Sequence, residues 1–179
     1  ISIPASVTSI SKNAFYACNA LESISIPASV TNIGTYAFYN CTSISEIKFN
    51  AISMNDLANN NNVFYNAGKN GSGIVVTIGN EVTRVPAYLF YATSNSTSYL
   101  PKITLVAFED GSACESIGSY AFYYSSNLLR LIIPDTISEI GTYAFYGCSK
   151  AVIAFEAEAL PTTGSNWYST EATYYLNAK

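Results

Sequence analysis

The sequence predicts a repeat solenoid of about seven coils, in which short parallel strands alternate with turns or single helical turns. Two observations carry the prediction. A Phe-Tyr doublet recurs at Phe15-Tyr16, Phe38-Tyr39, Phe64-Tyr65, Phe90-Tyr91, Phe122-Tyr123 and Phe145-Tyr146, with Trp167-Tyr168 read into the same slot, at steps of 23, 26, 26, 32, 23 and 22 residues. A period in this range marks one supersecondary coil stacked on the next. The chain is also 49% hydrophobic and only 11% charged, apolar enough to bury a long core and offset the entropy of ordering it.

Each element follows from one unit, Leu21 to Cys41. Leu21-x-x-Ile24-x-Ile26 alternates as a half-buried strand does. Pro27, like Pro4 and Pro134, then ends the ladder, because proline has no N–H to donate. Val30-x-x-Ile33-Gly34 is a second short extended piece that turns at Gly34. Tyr36-Ala37-Phe38 through Cys41 is too short for a stable helix and reads as a turn or one 3₁₀ or α turn. Phe15, Phe38, Phe64, Phe90, Phe122, Phe145 and Trp167 are the expected core, one large ring per coil. Strands spaced about 4.8 Å apart make seven coils a rod of roughly 35 Å.

Irregular stretches are expected to bulge outward as loops: the Asn-rich 55–62, a flexible Gly68–Gly73 connector, and the Ser/Thr/Asn-rich 92–99. Ile1-Ser2-Ile3-Pro4 already aligns with Ile24-Ser25-Ile26-Pro27, and no leader precedes it. Residues 1–179 therefore read as a single solenoid excised from a longer protein.

Composition excludes several functions. Net charge is −4 and the eight basic residues are scattered singly, so nucleic acid is not an expected partner. No apolar run reaches the roughly 18–20 residues of a membrane span, so no membrane insertion is expected. Histidine, the commonest general base and metal ligand, is absent. With no nucleophile elbow or phosphate loop either, we expect neither an enzyme nor a cofactor or metal site.

The unit Leu21-x-x-Ile24-x-Ile26-Pro27-x-Ser29-Val30-Thr31-x-Ile33-Gly34-x-x-Ala37-Phe38-x-x-Cys41 resembles the BspA-like leucine-rich repeats, about 23 residues long and also described from treponemal proteins. The resemblance implies a leucine-rich-repeat right-handed superhelix on a bacterial or protist surface. It also implies adhesion to proteins or glycans on host or neighbouring cells, with no catalytic residues.

The candidate ligand-binding residues are the tyrosine column Tyr16, Tyr39, Tyr65, Tyr91, Tyr123 and Tyr146, beside a broken second column of Tyr36, Tyr88, Tyr120 and Tyr143. Flat rings can stack on sugars or anchor a protein. Equally, they can pack edgewise between coils with wet hydroxyls. Cys18, Cys41 and Cys148 share one slot and Cys114 takes that of Val30. They read as buried apolar plugs, since stacked parallel side chains suit a disulfide poorly. Glu109-Asp110-Gly111 replaces the proline turn and supplies too few ligands for calcium, and Glu156 and Glu158 read as surface charge. The sequons at Asn40, Asn70 and Asn95 are those expected by chance. The functional expectation is a surface interaction module; a spacer holding another domain off the envelope is the alternative.

Overall fold

A computed structural model describes residues 1–91, 99–168 and 172–176. The predicted loop at 92–99, with the Asn95 sequon, lies outside them except for Tyr99.

The alternating segments form strands β1 (Ser9–Ile10), β2 (Ser23–Ile26), β3 (Asn32–Ile33), β4 (Glu46–Phe49), β5 (Ile74–Ile78), β6 (Arg84–Val85) and β7 (Ile103–Phe108). Then follow β8 (Ser116–Ile117), β9 (Arg130–Ile133), β10 (Glu139–Ile140), β11 (Val152–Phe155), β12 (Thr162–Thr163) and β13 (Thr173–Tyr175). Seven of them lie side by side in the order β2-β4-β5-β7-β9-β11-β13, all parallel. Their register aligns Ile24, Ile47, Val76, Val106, Leu131 and Ile153 in one inward row, every member buried. Each such side chain is worth about 1.5–3 kcal/mol over its exposed state. No coil could bury its apolar face alone.

The second extended piece builds a shorter ladder on another side, β6-β8-β10-β12, with β1-β3 as a separate pair. The gap between them is the third coil. There the Asn-rich 55–62 bulges only in part as predicted: Asn55, Asp56, Ala58, Asn59 and Asn60 are exposed, but Leu57 and Asn62 are buried. The Asn55 N–H donates to the Thr31 carbonyl (3.0 Å) and the Leu57 N–H to that of Ala87 (3.1 Å), bridging the coils on either side. The Gly68–Gly73 connector is packed closely at its two glycine ends, while Lys69, Asn70 and Ser72 are exposed. A Cβ on Gly68 would stand 2.5 Å from Ile74, and the Lys102 ammonium donates to the Gly71 carbonyl.

The third side is a chain of turns, and its backbone hydrogen bonds alternate. The N–H groups of Tyr36, Phe38 and Asn40 donate to Asn61, Val63 and Tyr65 of the next coil (2.8–2.9 Å). Those of Ala37, Tyr39 and Cys41 donate three residues back, to Gly34, Tyr36 and Phe38. Stacked turns thus satisfy the backbone without a helix. The arrangement requires left-handed backbone two residues before and two after the phenylalanine. Tyr36, Tyr88, Tyr120 and Tyr143 hold φ of 56–59°, unusual for a bulky residue, while Asn13, Asn40, Asn62 and Asn66 suit it better.

The glycine column has a different cause from the turn the sequence suggested. Gly34, Gly118, Gly141 and Gly164 each donate an N–H to the preceding coil at 2.7–2.8 Å. A Cβ there would lie 2.3–2.4 Å from that coil's backbone nitrogen. The same slot holds Ser11 in the first coil and Pro86 where the coil before has no second strand.

Candidate functional site

Inside the turns, the phenylalanines form a continuous ladder. Phe15-Phe38, Phe38-Phe64, Phe64-Phe90, Phe90-Phe122 and Phe122-Phe145 have ring centroids 5.0–5.3 Å apart and interplanar angles of 4–28°. Five of the six rings are fully buried; Phe15, in the first coil, is half-buried with a ring on one side only. The seventh copy is out of step by one residue. The Phe145 N–H donates to the Trp167 carbonyl as that of Phe122 does to Ala144, and Tyr168 bridges to Phe145. Trp167 therefore occupies the alanine slot. Its indole, 6% exposed, packs edge-on against Phe145 and Phe155 instead of continuing the flat stack.

Outside the phenylalanines runs a tyrosine ridge in two lengths. Tyr16, Tyr39, Tyr65 and Tyr99 stack at 4.7–5.4 Å and 1–15°. Tyr91, Tyr123 and Tyr146 form the second length at 5.4–5.8 Å. The sequence reading placed Tyr91 above Tyr65. The structure puts Tyr99 there, its carbonyl accepting from the Asn66 N–H (2.7 Å) and Lys69 above its ring. Nothing in the doublet pattern marks Tyr99, which follows an insertion. The second column, Tyr88-Tyr120-Tyr143, stacks at 4.9–5.1 Å and meets the first edge-to-face, as in Tyr88-Tyr91 at 89°. Ring faces in the ridge are largely taken by other rings. Burial, with neighbouring phenols second, raises the Tyr39, Tyr91, Tyr120 and Tyr123 hydroxyls above their ordinary value.

All four cysteines are free; Cys18 is half-buried and the other three are buried. The Cys41 and Cys148 thiols donate to the Phe15 and Phe122 carbonyls of the preceding coil (3.0 and 3.3 Å). Desolvation pushes Cys41 and Cys114 up to about 11 and Cys148 to about 12, so these are inert plugs.

Glu109-Asp110, read from the sequence as part of a turn, and Glu156, read as surface charge, line one hollow together with Asp135. The hollow, of about 520 Å3, lies on the seven-stranded sheet and is floored by Leu105, Ala107 and Ile132. Lys48 pairs with Glu109 at 2.6 Å, and the Asn80 N–H also donates to it. The lysine's hydrogen bond, with the amide second, holds that carboxyl below its ordinary value. Sequence reasoning missed this site because its acids come from three different coils. Among the described residues no three or more His, Cys, Asp or Glu side chains are placed so as to hold one metal ion, and no helix is long and apolar enough to cross a membrane.

Stacked parallel strands, a buried phenylalanine ladder and an outer tyrosine ridge define a repeat protein of the leucine-rich type. The family model for the BspA type leucine-rich repeat region matches residues 1–111 and 98–174 in six copies, and the chain belongs to that family. A crystal structure of a leucine-rich cell surface protein from Faecalibacterium prausnitzii is 26% identical, over 89% of this chain and 48% of that one, with a TM-score of 0.44. The chain thus spans about half the length of that protein. No curated protein matches.

Proposed function

We propose that the chain works as one solenoid unit, a non-catalytic interaction module displayed outside the cell, which adheres to proteins on host or neighbouring cells. Membership in the BspA-type family supports the surface setting. The tyrosine ridge carries the binding reading, since it offers half-exposed rings along the length of the stack, and tyrosine is enriched among interface hot spots. Coil-to-coil stacking leaves mainly ring edges and hydroxyls outward, which suits hydrogen bonding to a protein better than stacking on sugar faces.

The test is a surface-binding panel of extracellular-matrix proteins beside a glycan array, run with the chain and a Tyr39→Ala/Tyr91→Ala/Tyr123→Ala variant. Binding to a matrix protein, weakened at least tenfold in a variant with unchanged circular dichroism, is the expected result. Equal binding by the variant removes the ridge from the interface. A blank on both panels leaves the spacer role.

A further inference from the structure

The hollow on the seven-stranded sheet lies where its ladder is shortest. Neighbouring strands elsewhere in the sheet pair over three to five residues, but β7 and β9 pair only at Leu105-Arg130 and Val106-Leu131. In four coils the residue after the strand closes the ladder, whereas Pro27, like Pro134, has no N–H with which to do so. Asn50, Gly79, Glu109 and Glu156 donate to the carbonyls of Ile26, Phe49, Ile78 and Ile133 at 2.9–3.0 Å. The register puts position 134 opposite the Phe108 carbonyl, and residue 134 is proline, with no N–H to give. Pairing already stops after Val106-Leu131, and Pro134 leaves the Phe108 carbonyl without an inter-strand donor. Phe108 is half-buried, whereas its counterparts Phe49, Ile78, Ile133 and Phe155 are all fully or almost fully buried.

The opened groove has an apolar floor and a rim of one dominant sign. Of the four carboxylates at the rim only Glu109 makes an ion pair among the described residues, with Lys48; Arg130 is the one basic side chain in the lining. We propose that this groove receives an arginine side chain from a protein partner. The stem would lie along Leu105, Ala107 and Ile132, as long cationic side chains cover apolar surface. The planar guanidinium offers five donors, enough to serve two carboxylates and the Phe108 carbonyl together, which a lysine ammonium matches less well. The proposal rests on the chain's being a protein-binding module. The groove lies on the strand side of the coil and the ridge on the turn side, so the two can fail separately.

The probes are a capped Gly-Leu-Arg-Leu-Gly peptide and its citrulline counterpart, which has a similar shape without the charge, followed by amide chemical shifts of the whole chain at low salt. The expected result is saturable shifts centred on Gly111, Ser112 and Ile132, at least tenfold weaker with citrulline and with an Asp135→Asn/Glu156→Gln variant. Pro134→Ala supplies the missing N–H. It should protect that amide from hydrogen exchange, occupy the Phe108 carbonyl and lower peptide affinity at least tenfold without lowering Tm. The triple tyrosine variant should bind the peptide normally. Equal binding of the citrulline peptide, shifts centred elsewhere, no shifts at millimolar peptide, or undiminished binding by Pro134→Ala would each overturn the proposal. So would calcium chloride alone saturating the same amides and blocking the peptide, which would make the groove a cation site.

Discussion

Truncating one ring of the phenylalanine ladder should cost an amount set by how many coils enclose it. Phe38 is 0% exposed and lies between Phe15 and Phe64, each 5.0 Å away at 5–6°. Phe38→Ala removes a large buried side chain from between rings fixed by their own coils. The Phe38 N–H remains bonded to Val63, so collapse into the cavity is restrained. A cost of about 3–5 kcal/mol follows. Phe15 is half-buried and has a ring on one side only, so Phe15→Ala should cost roughly half as much. Urea unfolding followed by far-ultraviolet circular dichroism measures both, and the midpoints should be compared at equal m, since repeat arrays can lose two-state behaviour. A Phe38→Ala cost below about 1 kcal/mol, or a Phe15→Ala cost equal to it, would refute the stacked register.

Further outcomes follow from the same geometry. Gly141→Ala places a methyl group 2.4 Å from the Ser119 backbone nitrogen and should cost about 1–3 kcal/mol in thermal unfolding. Gly71→Ala, where the nearest atom is 3.7 Å away, should lie within about 0.5 kcal/mol of zero. A chromogenic disulfide reagent at pH 8 should label Cys18 alone in the native chain and all four cysteines in denaturant; rapid native labelling of Cys148 would contradict its burial. Buried thiols and the ridge phenols have folded values raised above their ordinary 9.0 and 10.0, so the folded chain holds protons that the unfolded chain releases. Their contribution is complete below about pH 9 and is lost as pH climbs towards 12, so Tm should fall across that window, less steeply in Cys148→Ala. Glu109 has the opposite sign: its ion pair supports folding above the ordinary value of 4.5 and lapses as pH falls below its lowered one. Lys48→Met should return the Glu109 titration, followed by NMR, towards 4.5.

Much of the fold was legible because one coil's text repeats. Ile24 and Ile26 face inward with Ser23 and Ser25 outward, as their alternation requires, and the phenylalanine slot recurs at intervals only a stack explains. What escaped depends on which residues of different coils become neighbours. The doublet pattern put Trp167 in the phenylalanine slot, but the inter-coil hydrogen bonds shift it by one. The insertion after Tyr91 hides Tyr99's place over Tyr65. Gly34 looked like a turn residue because one coil's sequence does not disclose that another backbone approaches within 2.4 Å. The groove sets the repeat's usual proline, Pro134, against one departure from it, Glu109-Asp110-Gly111 in the coil before, and each alone reads as an ordinary turn.

Side-chain nuclear Overhauser effects along the inward row give the most direct test of the stack. Methyl groups should show contacts stepwise from Ile24 to Ile47, Val76, Val106, Leu131 and Ile153, each reaching its neighbours in that series and none reaching two coils away. Contacts that skip coils, or join Ile24 directly to Leu131, would show a chain folded on some other plan.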